Sequence, residues 1–481
     1  MELVTLWRRK KLAPIRWTRT LAGNRHLYEE LNWHPSKKRK FQARTAWGKK
    51  LEIIRVPELG WQNDDAISTG YLSDSSDDLD DDTMASPDSA HTYKAKLINP
   101  HVNDYDAGLQ EHSTNECHEM YNSPWHRDRW THQRQKREAR EVSDVEISER
   151  YGLIREAKAV SRVVSAQDPE NNFTKENIDV VIVHSDKTRP VENLPCIFFI
   201  HGGCRIGGTE YSGGFLARAQ EWGEKLNAIA VSVAYRLSPY GNGEPTDEEP
   251  TNDCFDALKW TYDQLGKGDG DTFLRYGDRS KLVVFGTSSG GGLAASVAMK
   301  WTQTPGVGKL CGILLEAPQL DDRCNTKSHD RFKSGNMFTS MDARLGWEVS
   351  LGKRRGGNDV NIFEAPARAA KKDVEGFPPT YIDVGAAEPF RDEVIRFSDL
   401  LITAGVEVER HVFSGGFHGF FAANPNALVS RLCNARKMGW LSRRLGVTDG
   451  AAQTIRDECN ELQGKYNKRN EELKGLSYPL R

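Results

Sequence analysis

Residues 282–298 read LVVFGTSSGGGLAASVA: a run apolar on every face, a cluster of small residues, then an alanine-rich stretch with helical spacing. A buried strand turning abruptly into a helix fits this pattern. Where a chain bends so sharply, the residues two before and two after the apex must lack side chains. Gly286 and Gly290 meet that need around Ser288, whose hydroxyl would then project from the carboxyl edge of a sheet. Ser289 is the rival apex, but its counterpart two before is Thr287, whose β-branch would crowd the turn. GxSxG alone is a weak signal, and a glycine-rich helix start would also explain it. Set between strand and helix, it points to a serine nucleophile.

Outward from this stretch, short apolar runs recur beyond residue 175. Ile178–Val183, Cys196–Ile200, Ala228–Ala234, Leu282–Phe285, Leu310–Leu315, Thr380–Val384 and Val406–Phe413 read as strands. Runs apolar on every face imply strands covered on both sides, as in parallel sheets. Helical spacing separates them at Phe215–Leu226, Asp253–Leu265, Gly291–Thr302 and Arg391–Ala404. The alternation predicts an α/β fold with a mostly parallel, doubly wound sheet. Upstream, residues 141–164 (EVSDVEISERYGLIREAKAVSRVV) have apolar spacing that suits a helix leading into this domain.

A serine nucleophile needs a base, an acid that orients the base, and donors for the oxyanion. His201, Gly202, Gly203 and Cys204 end the second apolar run, where glycines leave backbone N–H groups accessible to a substrate oxygen. The Ser289 amide, next after the nucleophile, would be the third donor. His418 is the expected base, because FSGGFHGF (413–420) forms a glycine-rich loop after the last strand. His411 lies inside that strand, His201 would brace the oxyanion loop, and His329 stands in an excursion between strands as a distant second. Glu388 is the expected acid, following the Thr380–Val384 strand. Asp383 and Asp392 are its rivals, Asp392 reading first as a helix-start charge.

These residues resemble the hormone-sensitive-lipase-like branch of the α/β-hydrolases, over roughly residues 155–445. Besides GTSSGGG (286–292) and HGG (201–203), the matching pieces are VSVAYRLSP (231–239), DCFDALKW (253–260), LLEAPQLDDR (314–323), PPTYIDVGAAEPFRDE (378–393) and FSGGFHGF. The resemblance implies a cofactor-free, metal-free serine carboxylesterase acting on short- or medium-chain esters or acetylated small molecules. In it Ser288 attacks, His418 moves the proton, Glu388 orients His418, and Gly202, Gly203 and Ser289 bind the oxyanion. It also implies a helical cap, here from about residues 146–170 and 321–375. Phe332, Met337, Phe338, Met341, Trp347, Tyr211, Phe215 and Tyr235 are candidate pocket residues, with core packing the commoner use of such side chains. Three positions depart from the family pattern: Cys204 where a third glycine is usual, Glu388 in place of aspartate, and the serine flanked by Thr287 and Ser289. A non-catalytic small-molecule receptor on the same scaffold is the competing reading. Plant gibberellin receptors resemble the family but lack the histidine, so His418 favours the enzyme.

The rest of the chain dilutes this core. With 66 basic and 68 acidic residues among 481, no chain-wide field would gather nucleic acid or anionic lipid. Residues 1–145 form a polar extension expected to be largely disordered, 146–446 the catalytic domain, and 447–481 a charged tail that reads as one exposed helix. In the extension Asp74, Asp77, Asp78, Asp80, Asp81 and Asp82 crowd together among serines. Seven of the twelve tryptophans also fall there, and either a small partner-binding element or a poorly defined extension would fit them. Lys37, Lys38, Arg39 and Lys40 could act as a nuclear import signal, though such clusters are more often solvated surface. A nuclear interaction module with a hydrolase appended is the third reading. No apolar run suits a membrane span or a signal-peptide core, so a cytoplasmic protein is expected. The eight cysteines form no CxxC pair, and reduced thiols are expected.

Overall fold

A strand apolar on both faces must be covered on both, and the computed structural model of the chain has that arrangement. It describes residues 142–161, 177–187, 192–238, 248–333, 337–447 and 450–474, and five strands of three or four residues before residue 95. The expected disorder of residues 1–145 and the import signal at Lys37–Lys40 lie almost wholly outside the described residues.

Eight strands make the main sheet: β1 (Leu153–Ser161), β2 (Asn177–Ser185), β3 (Leu194–Ile200), β4 (Ile229–Ala234), β5 (Gly277–Thr287), β6 (Gly312–Glu316), β7 (Thr380–Gly385) and β8 (Val408–Phe413). Their order is β8-β7-β6-β5-β3-β4-β2-β1, with β2 antiparallel to both its neighbours and every other pair parallel. The helices are α1 (Asp144–Tyr151), α2 (Phe215–Leu226), α3 (Glu249–Gln264), α4 (Ser289–Gln303), α5 (Lys327–Arg331), α6 (Ser340–Leu351), α7 (Arg391–Thr403), α8 (Phe420–Ala423), α9 (Leu428–Arg444) and α10 (Gly450–Lys474).

Strand alternation divides the core in two. Cys196, Phe198 and Ile200 of β3, with Leu282 and Val284 of β5, pack on Leu258 of α3, Leu293 and Val297 of α4 and Val394 of α7. Their neighbours Ile197, Phe199, Val283 and Phe285 face Phe215 and Trp222 of α2 and Trp440 of α9. The nucleophile strand thus lies in the middle of a sheet buried on both sides. α5 and α6 enter the chain between β6 and β7.

Two expectations need correcting. The helix expected within residues 141–164 stops at Tyr151, where Gly152 takes φ 59° and its N–H caps the Ser148 carbonyl. Residues 153–161 then pair along their full length with β2, as an edge strand rather than a cap helix. Ala, Lys, Arg and Glu favour a helix in isolation, but pairing with a buried strand overrides propensity. The charges of Arg155, Glu156 and Lys158 also suit an edge, where they discourage pairing with another chain. The tail does form one helix, but α10 is not simply exposed. It buries Ala452, Ile455, Cys459, Leu462 and Tyr466. Steps of three and four residues align these on one face.

Candidate active site

The elbow begins with a steric constraint. A Cβ on Gly290 would lie 2.2 Å from the Ile200 carbonyl oxygen and 2.3 Å from that of His201, and one on Gly286 would lie 2.1 Å from the Gly290 carbonyl oxygen. All three contacts are with backbone, which cannot step aside as a flexible side chain would. Ser288 itself is held at φ 56°, ψ −123°, a conformation that a side-chain-bearing residue adopts only under constraint. Its N–H donates to the Glu316 carbonyl (2.8 Å), and its carbonyl accepts from Gly292 (3.1 Å) and Gln319 (3.0 Å). Gly290→Ala should therefore destabilise the fold by about 3 kcal/mol or more, the upper range for overpacking. Denaturant unfolding checks this; a loss below about 0.5 kcal/mol, the scale of ordinary surface substitutions, would mean the elbow yields easily.

The structure brings Ser288, His418 and Glu388 into one hydrogen-bonded chain. Ser288 Oγ lies 3.0 Å from His418 Nε2, and His418 Nδ1 lies 2.5 Å from Glu388 Oε2. A carboxylate can only accept, so Nδ1 carries the proton and Nε2 is left to accept from the serine hydroxyl. The other Glu388 oxygen accepts the Gly385 N–H at 2.7 Å, which fixes the carboxylate on the β7 end. Phe338 lies over the His418 ring at 4.6 Å, and Phe390 meets it edge-on at 5.1 Å and 90°.

The rival residues are engaged elsewhere. Asp392 accepts from the Ser328 N–H and pairs with Arg391, both at 2.8 Å. Asp383 is buried beside Lys437, whose Nζ stands 3.4 Å away. His411 faces Glu409, and His201 holds the Gly202 carbonyl at 2.8 Å while stacking on Tyr235 at 4.3 Å. His329 belongs to a second buried chain. Its Nδ1 lies 2.8 Å from Ser340 Oγ and its Nε2 2.9 Å from Glu393 Oε2, joining α5, α6 and α7. Phe390 sets its ring edge against His329 as well, at 6.0 Å.

On the facing loop, a Cβ on Gly202 would be 2.9 Å from Ser288 Cβ, so this loop presses directly on the elbow. Gly203 sits at φ 119°, where a Cβ would be 2.2 Å from the Gly207 carbonyl oxygen. The Ser289 hydroxyl has a use the sequence did not reveal: it accepts the Arg205 N–H at 3.1 Å, tying elbow to loop. Cys204 is buried, which pushes its thiol up to about 12 and leaves it protonated at neutral pH. Arg205 is buried too, with its guanidinium 4.2 Å from the Trp347 ring.

Behind the elbow lies a buried charge cluster with no counterpart in the sequence reading. Glu316 accepts from Arg218 (2.9 Å), Lys437 (2.5 Å) and the Thr287 hydroxyl beside the nucleophile. Burial would raise the Glu316 carboxyl, but the two cations and these hydrogen bonds hold it below its ordinary value. Burial by contrast raises Asp383. Burial opposes the charge on Lys437, and Asp383, Cys433 and Glu316 outweigh it to push that amine up. Spacing could not have found this cluster, because its members come from α2, β6, β7 and α9.

Of the candidate pocket residues, Phe338 packs against His418. Trp347 lies by Arg205, Phe332 and Met337 join a third apolar cluster, and Phe215 stacks on Phe199. Tyr211 accepts a hydrogen bond from Arg155, and Tyr235 donates to the His201 carbonyl at 2.8 Å. Among the described residues, no group of three or more His, Cys, Asp or Glu side chains could hold a metal ion. No helix among them is long and apolar enough to cross a membrane.

Comparison with known proteins places this geometry in context. A family described as alpha/beta hydrolase fold matches residues 197–422. Probable carboxylesterase 8 of Arabidopsis thaliana is 28% identical over 239 residues, covering 48% of this chain and 71% of its own. Arylacetamide deacetylase of Oryctolagus cuniculus is 27% identical over 283 residues, covering 47% and 69%. A bacterial heroin esterase of known structure superposes with a TM-score of 0.56 at 28% identity, covering 72% of this chain and 99% of its own.

Proposed function

The chain belongs to the hormone-sensitive-lipase-like α/β-hydrolases, and from that premise we propose that it is a serine carboxylesterase acting on short- or medium-chain esters or acetylated small molecules. The observation that carries this reading is the unbroken path from Ser288 Oγ through the His418 ring to Glu388, at 3.0 and 2.5 Å. Ser288 Oγ attacks the ester carbonyl as its proton passes to His418 Nε2. Glu388 stabilises the resulting imidazolium without taking a proton. The carbonyl oxygen gains the negative charge and is met by the amides of Gly202, Gly203 and Ser289. Collapse breaks the ester bond, and His418 returns the proton to the departing alcohol. Water, deprotonated by His418, then releases the acid and restores Ser288.

Phe338 and Phe390 enclose the imidazole and exclude water from it, which strengthens these interactions. The receptor reading lacks comparable support, because a binding-only site has no need of an imidazole aligned between a serine and a carboxylate.

The test is hydrolysis of p-nitrophenyl esters of graded chain length, with labelling of Ser288 by a fluorophosphonate. Turnover is expected on acetate and butyrate. Folded protein that is neither labelled nor active across the series, yet binds an ester, would favour the receptor. Deleting residues 1–140 should leave this activity in place, because the main sheet and every proposed site residue lie downstream of Val142. Loss of soluble expression on truncation would overturn that expectation.

A further inference from the structure

The loop Ser414–Gly419 holds three glycines in six residues, with Gly415 at φ 76° and Gly419 at φ 82°. Such a backbone does little by itself to fix the imidazole of His418. What grips the loop therefore decides where the imidazole sits. Three of the hydrogen bonds that do so come from neighbouring elements. The Ala387 N–H donates to the Gly416 carbonyl at 2.9 Å, and Ser430 Oγ of α9 donates to the Phe420 carbonyl at 3.0 Å. The third comes from the far end of the chain: the Tyr466 hydroxyl of α10 donates to the Ser414 carbonyl at 3.1 Å.

A terminal helix that only covered bare apolar surface would need its apolar stripe and nothing more. α10 goes further. Cys459, Leu462 and Tyr466 share one apolar cluster with Phe413, Phe417 and Phe420, which bracket His418. The helix is also docked to the body by polar contacts, Arg436 to Gln463 at 2.7 Å and Lys225 to Glu458 at 3.5 Å. α10 lies beyond the matched hydrolase segment, which ends at residue 422.

We propose that α10 is part of the positioning apparatus of the active site, with Tyr466 a positioning residue that fixes the His418 loop through the Ser414 carbonyl. The proposal deepens the esterase reading and rests on it. Its test uses the full chain with Tyr466→Phe and Tyr466→Ala, measuring kcat, KM and thermal unfolding. Tyr466→Phe keeps the packing and loses one hydrogen bond, so kcat should fall about fivefold with KM unchanged. A residue that merely stabilised the fold would lower the unfolding temperature and leave kcat of the folded enzyme in place. Tyr466→Ala should lower kcat further. Wild-type kcat in the phenylalanine variant would overturn the proposal, whatever the alanine variant does. An inactive wild type would overturn the esterase reading and this proposal together, whereas an active wild type with unaltered variants overturns this one alone.

Discussion

Ser288→Ala is expected to lower kcat for p-nitrophenyl butyrate by about 10⁵- to 10⁶-fold, the scale seen when a serine hydrolase loses its nucleophile. KM should change little, because the lost interaction is one made with the transition state. The oxyanion donors would remain and sustain a residue of catalysis above the reaction in water. Two facts drive the expectation. The Ser288 hydroxyl lies 3.0 Å from His418 Nε2, and the backbone there is held at φ 56° by packing that involves the whole elbow. Ser289→Ala is the matched control. It removes the acceptor for the Arg205 N–H and should cost far less, since that bond steadies a loop without taking part in the chemistry. Wild-type turnover in Ser288→Ala together with its loss in Ser289→Ala would move the apex of the turn by one residue.

Glu388→Gln should follow with a fall in kcat of about 10⁴-fold, as when a triad acid becomes its amide. The two carboxylate oxygens each accept a proton-bearing nitrogen, His418 Nδ1 at 2.5 Å and the Gly385 amide at 2.7 Å. An amide has one oxygen for these two donors. Whichever way it turns, its NH₂ faces either the Gly385 N–H or Nδ1. Facing Nδ1, it selects the tautomer whose Nε2 is protonated and useless as a base. Turned the other way, it leaves two donors in contact and the imidazole unsteady. Asp392→Asn is the discriminating variant. It weakens a helix start and an ion pair with Arg391, so a small loss is expected, and a loss exceeding that of Glu388→Gln would transfer the orienting role.

Features fixed by local chemistry could be read from the chain before its coordinates. The apolar runs and the glycines around Ser288 constrain only their own neighbourhoods, and seven of the eight main strands follow from them. β1 escaped because its residues favour a helix when taken alone and its strand character comes from pairing with β2. The buried face of α10 escaped for a related reason: five small or mixed side chains spread over 15 residues give little contrast against a charged helix. The chain His329–Glu393–Ser340 could not be foreseen, because its partners lie 64 and 11 residues from the imidazole and only the fold unites them. Glu388 and His418 are also far apart in sequence, yet each sits just past a recognisable strand, and the order of strands made their meeting foreseeable.

That second chain has a practical side for anyone who would alter what the protein accepts. One such alteration would be to graft α5 and α6, which lie within the segment expected to form the cap, from a relative. Glu393 stays behind on α7, fully buried, with burial already raising its carboxyl. A donor segment lacking an imidazole at position 329 would strand that group without its side-chain partner, a loss on the order of 3–5 kcal/mol if it stayed ionised. The disturbance would not remain local, since Phe390 touches both imidazoles and lies two residues from Glu388. Successful transplants should therefore carry His329 and Ser340 with them, since Glu393 also accepts the buried Leu320 N–H at 2.7 Å and cannot simply be made apolar.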